Sequence, residues 1–125
     1  MIKIILILSS LMSYGALAET DPKSVYQLVN KGEAILIDVR EEDEIKQGMI
    51  KKAHWVALSK MSSNTNWKAD FLALSKGKKI FLYCRSGVRS GKALKILEEN
   101  SIASENLGGF LTLKEILPVY KPGSL

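Results

Sequence analysis

The stretch KIFLYCRSGVRSGKALKILEE, residues 79–99, decides the fold. After its opening lysine it is apolar on both faces as far as Tyr83, which is typical of a strand in a parallel sheet that helices cover on both sides. From Val88 onward, apolar residues recur at helical spacing with lysines between them. The stretch therefore predicts a strand, a short loop that begins at Cys84, and a long helix.

The sequence on either side continues this alternation. The run AILIDV, residues 34–39, predicts a second buried strand, and Asp21-Pro22 supplies a capping side chain and a first-turn proline for a helix before it. The other expected elements are helices at residues 41–47, 67–74 and 110–117, strands at residues 53–58 and near Ser104, and a sharp turn at residues 107–109. We therefore predict an α/β fold, with a small, mostly parallel sheet of about four to five strands and helices on both faces. In such sheets, ligands bind beyond the carboxyl ends of the strands.

The first residues have the layout of a secretory signal peptide. Lys3 gives a positive start, residues 4–12 are largely apolar, and Ala16-Leu17-Ala18 has the small-x-small pattern that signal peptidase cleaves. The apolar run is too short to favour a membrane-spanning helix. We expect residues 1–18 to be removed and residues 19–125 to form a single periplasmic domain without stable membrane association. The alternative is an uncleaved anchor or a buried N-terminal helix.

Composition and charge narrow the function further. The chain has 18 Lys and Arg against 13 Asp and Glu. Without residues 1–18, whose one charged side chain is Lys3, 17 against 13 leaves a net charge of +4. This mild excess attracts small anions, but no basic run alternates with aromatic residues, so nucleic-acid binding is not expected. The single cysteine excludes an internal disulfide, the single histidine, His54, does not favour a metal site, and no cofactor is predicted.

Cys84 is the candidate reactive residue, because it lies where the predicted strand meets the loop. Successive backbone N–H groups of such a loop can surround an anion, and the positive end of the following helix points at the same place. Arg85 and Arg89 add positive charge, and Gly87 allows tight curvature. These features favour the thiolate, so we expect Cys84 to be a nucleophile with a lowered pKa. A buried structural cysteine beside surface arginines is the alternative.

Several segments resemble the motifs of the rhodanese domain. They are Ile37-Asp38-Val39-Arg40, Glu44 with Gly48-Met49-Ile50, the loop Tyr83-Cys84-Arg85-Ser86-Gly87-Val88-Arg89-Ser90, and Leu107-Gly108-Gly109-Phe110. The resemblance covers about residues 35–117, most of the predicted mature chain. Together with the predicted signal peptide, it is most similar to the periplasmic single-domain rhodaneses of the phage-shock type.

A few positions depart from the family pattern. Met49 stands where the family usually has His, His54-Trp55 where it has Ile-Asn, Ala57 where it has Pro, and Leu113 where an aromatic residue is common. These positions shape the fold and the rim of the pocket. They bear on substrate preference more than on the nucleophile.

The resemblance implies a thiosulfate sulfurtransferase that works through a persulfide on Cys84. The thiolate takes the outer sulfur of a small anionic donor such as thiosulfate, and cyanide or a thiol then removes it, without a metal, cofactor or general base. The implied donor-binding residues are Arg85, Ser86, Gly87, Val88 and Arg89, and the implied supporting residues are Asp38 and Ser90. Independently of the resemblance, Arg40 and Glu44 stand four residues apart, a spacing that allows them to pair.

Other functions use a similar loop. A persulfide carrier or a stress-related binding module would hold the sulfur for a partner protein, and only turnover separates it from an enzyme. Cysteine-dependent phosphatases and arsenate reductases have a loop one residue longer, with an arginine where Ser90 stands, so the loop length does not favour them. Disulfide exchange would need an external thiol, because the chain has no second cysteine.

Overall fold

The computed structural model describes residues 20–63 and 66–122. The predicted signal peptide, residues 1–18, lies outside the described residues, so both it and the domain boundary that depends on it stay predictions. Within the described ranges, no helix is both long enough and apolar enough to cross a membrane.

Helices and strands alternate along the described chain. The helices are α1 (Pro22–Asn30), α2 (Glu42–Ile45), α3 (Leu58–Ser62), α4 (Lys68–Ser75), α5 (Val88–Glu99) and α6 (Phe110–Leu113). The strands are β1 (Ala34–Asp38), β2 (Met49–Ile50), β3 (His54–Trp55), β4 (Lys79–Cys84), β5 (Glu105–Gly109) and β6 (Val119–Tyr120). The strand, loop and helix predicted from residues 79–99 are confirmed, with Cys84 as the last residue of β4.

The main sheet is parallel and has four strands in the order β3-β1-β4-β5. β1 and β4 form its centre, and their register places Asp38 beside Tyr83, so both strands end at the same edge. β2 and β6 form a separate antiparallel pair, which was not predicted. The predicted α/β fold with a mostly parallel sheet is therefore confirmed.

Neighbouring residues of β4 face opposite sides of this sheet, and helices cover each side. Leu82 and Cys84 pack into a core with residues of α3, α4 and α5, which are Met61, Phe71, Ala93 and Leu97. Phe81 and Tyr83 pack into a second core with residues of α1, α2 and α6, which are Val25, Ile45 and Leu113. Burial of a large apolar side chain stabilises the fold by about 1.5–3 kcal/mol. The two cores therefore fix β4, and with it Cys84, in one register.

Two elements after β1 are shorter than predicted. The strand expected at residues 53–58 contains only β3, because the chain turns into α3 at Leu58. In that turn the N–H of Leu58 donates to the carbonyl of Val39 just past β1, at 2.9 Å. The helix expected at residues 41–47 is reduced to the four residues of α2, before Gly48.

The segment after α5 also differs. The turn expected at residues 107–109 belongs to β5, because Gly108 and Gly109 pair with Tyr83 and Cys84 of β4. The strand is irregular there: its register against β4 shifts by one residue after Asn106, and Gly108 has a φ of +109°. The helix expected at residues 110–117 is regular only in α6. Hydrogen-bonded turns continue it as far as Leu117.

Candidate active site

Cys84 lies at the carboxyl end of β4, and its side chain is almost fully buried, with 1% of the residue exposed. The three residues after it form a loop that leads directly into α5. The loop residues Arg85 and Ser86 are exposed, and Val88, the first residue of α5, is 67% exposed. The sulfur therefore lies beneath a loop whose side chains point outward.

Hydrogen bonds converge on the sulfur of Cys84. The N–H of Gly87 donates to Sγ at 3.0 Å, and the hydroxyl of Ser90 lies 3.4 Å from it. Burial alone would raise the pKa of the Cys84 thiol. The hydrogen bonds from Ser90 and from the backbone N–H groups of Ser90, Gly87 and Ser86 outweigh burial, so the pKa lies below its ordinary value. The arrangement favours a thiolate, which is the reactive form of cysteine.

The loop lies directly on the glycines at the end of β5. Gly87 has a φ of +105°, in the left-handed region that glycine tolerates, and a Cβ on it would lie 3.6 Å from the Cα of Gly108. A Cβ on Gly109 would overlap the carbonyl group of Arg85 and lie 2.7 Å from the Cα of Ser86. The N–H of Leu111 adds a hydrogen bond to the carbonyl of Arg85 at 3.4 Å. The loop can hold this position because β5 ends without side chains.

Asn106 is a functional candidate that the sequence reasoning missed. Its Nδ2 donates to the carbonyl of Gly87 at 2.9 Å, and its Oδ1 accepts from the hydroxyl of Ser90 at 2.7 Å and from the N–H of Gly108 at 3.0 Å. The Ser90 hydroxyl has one proton and three acceptors within reach, which are Asn106, the sulfur and the carbonyl of Gly87 at 3.1 Å, so a full hydrogen bond to the sulfur replaces the other two. An amide side chain two residues before the Gly-Gly pair was the signal that could have identified it.

Arg89 is held by a carboxylate from another element. Its guanidinium donates two hydrogen bonds to Glu44 of α2, at 2.6 and 2.7 Å. The hydrogen bond from Arg89 is the main reason that the pKa of Glu44 falls to about 2. The predicted donor-binding role of Arg89 stays a prediction, but its charge is already balanced by Glu44.

Asp38 and Arg40 form a buried ion pair beneath the site. The Arg40 guanidinium donates to Asp38 at 2.8 Å and to the carbonyl of Gly48 at 2.7 Å, and it lies 4.2 Å from the centroid of the Phe110 ring. The predicted pairing of Arg40 with Glu44 was therefore wrong, because Arg40 pairs with Asp38 and Glu44 pairs with Arg89. Asp38 is one member of this buried pair, and its predicted support of the loop stays a prediction.

A cavity of about 400 Å³ borders the loop. Its walls come from α2 and its flanks, from Arg85 in the loop, and from α6 and its flanks. The lining residues are Arg40, Asp43, Glu44, Gln47, Arg85, Phe110, Leu111 and Lys114. Among the described residues, those of the cavity included, no group of three or more His, Cys, Asp or Glu side chains could hold a metal ion.

Three of the departures from the family pattern, Met49, His54 and Leu113, lie outside the core cluster that holds Cys84. Met49 and Leu113 are buried, with 2% and 1% exposed, and both belong to the core on the side of the sheet opposite Cys84. His54 is exposed on the edge strand β3. Their effect on specificity stays a prediction.

Comparison with known proteins places these features in a family. A family model described as a rhodanese-like domain matches residues 21–115. A putative sulfurtransferase of Bacillus subtilis, YtwF, is 34% identical over 77 residues, which are 62% of this chain and 69% of that protein. A tRNA uridine(34) hydroxylase of Rickettsia prowazekii is 33% identical over 78 residues, but the match spans 32% of that longer protein.

Solved structures of other proteins have a similar fold. The BH2092 protein of Bacillus halodurans superposes with a TM-score of 0.68 at 25% identity, over 92% of this chain and 86% of that one. A rhodanese from E. coli, solved with anions, superposes with a TM-score of 0.56 at 29% identity, over 70% of this chain and 98% of that one.

Proposed function

This chain belongs to the rhodanese-like domain family, and from that premise we propose that it is a thiosulfate sulfurtransferase with Cys84 as its nucleophile. The observation that carries the proposal is the convergence of the Gly87 N–H and the Ser90 hydroxyl on the Cys84 sulfur. These donors stabilise a thiolate at rest, and a persulfide needs the same stabilisation after sulfur transfer.

In the first step, the Cys84 thiolate attacks the outer sulfur of thiosulfate. A new S–S bond forms on Cys84, the S–S bond of the donor breaks, and its electron pair leaves with sulfite. The hydrogen bonds to Sγ lower the pKa of Cys84, and the proposed step uses the thiolate itself as the nucleophile, without a general base. The exposed guanidinium of Arg85 is the positive group proposed to meet the incoming anion.

In the second step, an acceptor removes the sulfur. Cyanide, or the thiolate of a small thiol, attacks the outer sulfur of the persulfide, and the electron pair of the broken S–S bond returns to Cys84. The products are thiocyanate or a new persulfide, and Cys84 is again a thiolate. Each product leaves before the next reactant enters, so ping-pong kinetics are expected.

The test is thiosulfate:cyanide turnover of the protein, with Cys84→Ser as the matched variant that keeps the size of the side chain. Mass spectrometry after thiosulfate alone should show a gain of about 32 Da, one sulfur atom, on Cys84. Both signals should vanish in Cys84→Ser. Folded, reduced protein that neither gains this mass nor turns over would contradict the proposal.

A persulfide carrier, or a stress-related binding module, is the second candidate. The 1% exposure of Cys84 favours it, because burial shields a stored persulfide from solvent and oxidants. A carrier gains one sulfur atom and then stops until its partner arrives. Loading without turnover in the same assay would therefore select the carrier over the enzyme.

We also propose that the protein works in the periplasm, as the phage-shock type of single-domain rhodanese does. The support is the sequence of residues 1–18, with its positive start, apolar run and Ala16-Leu17-Ala18 motif. Expression of the full chain in a bacterium, followed by N-terminal sequencing of the periplasmic fraction, should find Glu19 as the first residue. Full-length protein in the cytosolic fraction would contradict this location.

A further inference from the structure

We propose that the protein has a second ligand site, which binds a small organic anion: a carboxylate carried on a compact apolar body. The site is the cavity beside the first residues of β1, between α1, the turn before β3 and the turn before β4. It shares no lining residue with the cavity next to the Cys84 loop, and it goes beyond the sulfur transfer proposed above.

The cavity is present because the edge strand β3 is short. β1 pairs with β3 only through Ile37 and Asp38, so in the described sheet the first three residues of β1 have no strand beside them on that side. A cavity of about 510 Å³ lies there, and Ala34 and Ile35 of β1 and Val29 of α1 form the apolar part of its wall. Pockets of this size bind small organic molecules, and such a wall favours a ligand with an apolar body.

The rest of the cavity wall is basic. Lys52 and His54 line it from the turn before β3 and from β3 itself, and Lys78 lines it from the turn before β4. No lining residue is acidic, and within residues 20–63 and 66–122 neither lysine has a carboxylate at ion-pair distance. The Nζ of Lys52 donates to the Oδ1 of Asn30, a neutral amide, at 2.9 Å. Positive charge is therefore gathered at an apolar cavity without an anionic partner, which is the complement of an organic anion.

The turn that carries Lys52 is held in an uncommon conformation. Lys52 has a φ of +74°, in the left-handed region that residues with a side chain seldom adopt. The neighbouring Lys51 fixes this turn from two sides: its carbonyl accepts from the hydroxyl of Tyr26 at 2.9 Å, and its N–H donates to the carbonyl of Pro118 at 2.8 Å. Backbone strain that the surrounding structure maintains in this way is typical of ligand sites.

His54 gives the site a built-in reporter. Burial lowers the pKa of His54, and the positive charge of Lys78 lowers it further. The other polar groups of the cavity wall are Lys52 and the phenol of Tyr120, while α1 and β1 contribute apolar side chains. A bound carboxylate favours the charged imidazolium, so binding should raise the pKa of His54. Because His54 is the single histidine of the chain, its ring signals report on this cavity alone.

The experiment is a titration of the protein with benzoate, followed by proton NMR of the His54 ring. The ring signals should shift to saturation, and the midpoint of the histidine titration should move to higher pH. Benzamide has the shape of benzoate without its charge, and acetate has the charge without the ring, so each should bind at least about tenfold more weakly. An affinity for benzamide or for acetate equal to that for benzoate would overturn the inference, as would the absence of a saturable shift with benzoate.

Variants separate this cavity from the general charge of the protein and from the cysteine. Lys52→Gln and Lys78→Gln should each weaken benzoate binding about fivefold or more. Lys76→Gln is the matched control: it makes the same charge change two residues from Lys78, at an exposed position outside the cavity, and should change the affinity less than about twofold. An equal effect of all three variants would overturn the inference.

Cys84→Ser should bind benzoate as the unmodified protein does, whatever the sulfur-transfer assay shows. Loss of benzoate binding in Cys84→Ser would place the ligand at the active-site loop and overturn the second site. Failure of sulfur loading with benzoate binding intact would instead overturn only the proposed function.

Discussion

The Cα of Gly109 faces the backbone of Arg85 so closely that a Cβ would overlap the Arg85 carbonyl group. The last residue of β5 thus supports the loop that carries the sulfur ligands, and it does so without a side chain. This contact joins two parts of the chain that are far apart in sequence. It makes the shape of the loop depend on β5 as much as on the loop residues.

Gly109→Ala should therefore disable the site. The new methyl group would push residues 85–86 outward, and the sulfur would lose the N–H of Gly87. We expect at least a tenfold loss of sulfur loading and a destabilisation of about 1–3 kcal/mol, as in other overpacked sites. Gly91→Ala is the control, because a Cβ there meets only the Asn106 side chain at 3.7 Å and helix α5 gains about 0.5–1 kcal/mol from alanine. Equal loading in both variants would show that the contact is not needed.

Ser90→Ala should raise the pKa of Cys84. The hydroxyl of Ser90 makes the largest of the contributions that lower this pKa. Without it, the increase in pKa that burial causes is opposed only by the backbone N–H groups. The pH profile of thiol alkylation should shift to higher pH, and sulfur loading at neutral pH should slow down. Ser86→Ala is the control, because Ser86 acts on the sulfur through its backbone N–H, which alanine keeps. An unchanged profile in Ser90→Ala would mean that the hydroxyl donates to Asn106 or to the carbonyl of Gly87 rather than to the sulfur.

Arg40→Met should lower the free energy of unfolding by about 3–5 kcal/mol, because it leaves the carboxylate of Asp38 buried and unpaired. Urea unfolding measures this difference. Adding Asp38→Asn to the same chain should recover part of the loss, since the remaining amide carries no charge. Lys46→Met, which removes an exposed ion pair with Glu42, should cost less than about 1 kcal/mol.

The stability contributed by Glu44 should depend on pH. Its pKa is about 2 in the folded protein against an ordinary 4.5, so the stabilisation is present above pH 4.5 and is lost as the pH falls towards 2. With part of the ion pair exposed, we expect Glu44→Gln to cost about 1–2 kcal/mol at pH 7. The difference from the unmodified protein in urea unfolding should shrink as the pH approaches 2. A difference that is constant with pH would mean that charge is not its origin.

Local patterns in the sequence were sufficient for the central strand, the loop and α5. Residues 80–83 are apolar on both faces, and such a run is typical of a strand in a parallel sheet that helices cover on both sides. Likewise, Asp21 caps α1 as its residue type predicts, accepting from the N–H of Ser24 at 3.1 Å. In these segments the information lies within a few neighbouring residues.

Long-range pairings could not be read in the same way. Glu44 binds Arg89 across 45 positions, and Asn106 reaches Ser90 across 16. The spacing rule for helices suggested Arg40 as the partner of Glu44, but it presumes one continuous helix, and α2 begins only at Glu42. The end of β5 was misjudged for a related reason. A Gly-Gly pair is typical of turns, and only its pairing with Tyr83 and Cys84 of β4 makes it part of a strand.

Because backbone N–H groups supply much of the hydrogen bonding to the sulfur, reactivity and selectivity are separable traits in this protein. Main-chain donors are present whatever side chains the loop carries, so replacing the outward-facing Arg85, Ser86 or Val88 alters which molecules approach without removing the donors that activate Cys84. Single substitutions in the loop can thus change which substrates bind while Cys84 stays reactive. The substrate range of such a loop can therefore change by mutation, in evolution or by design, without loss of the reactive cysteine.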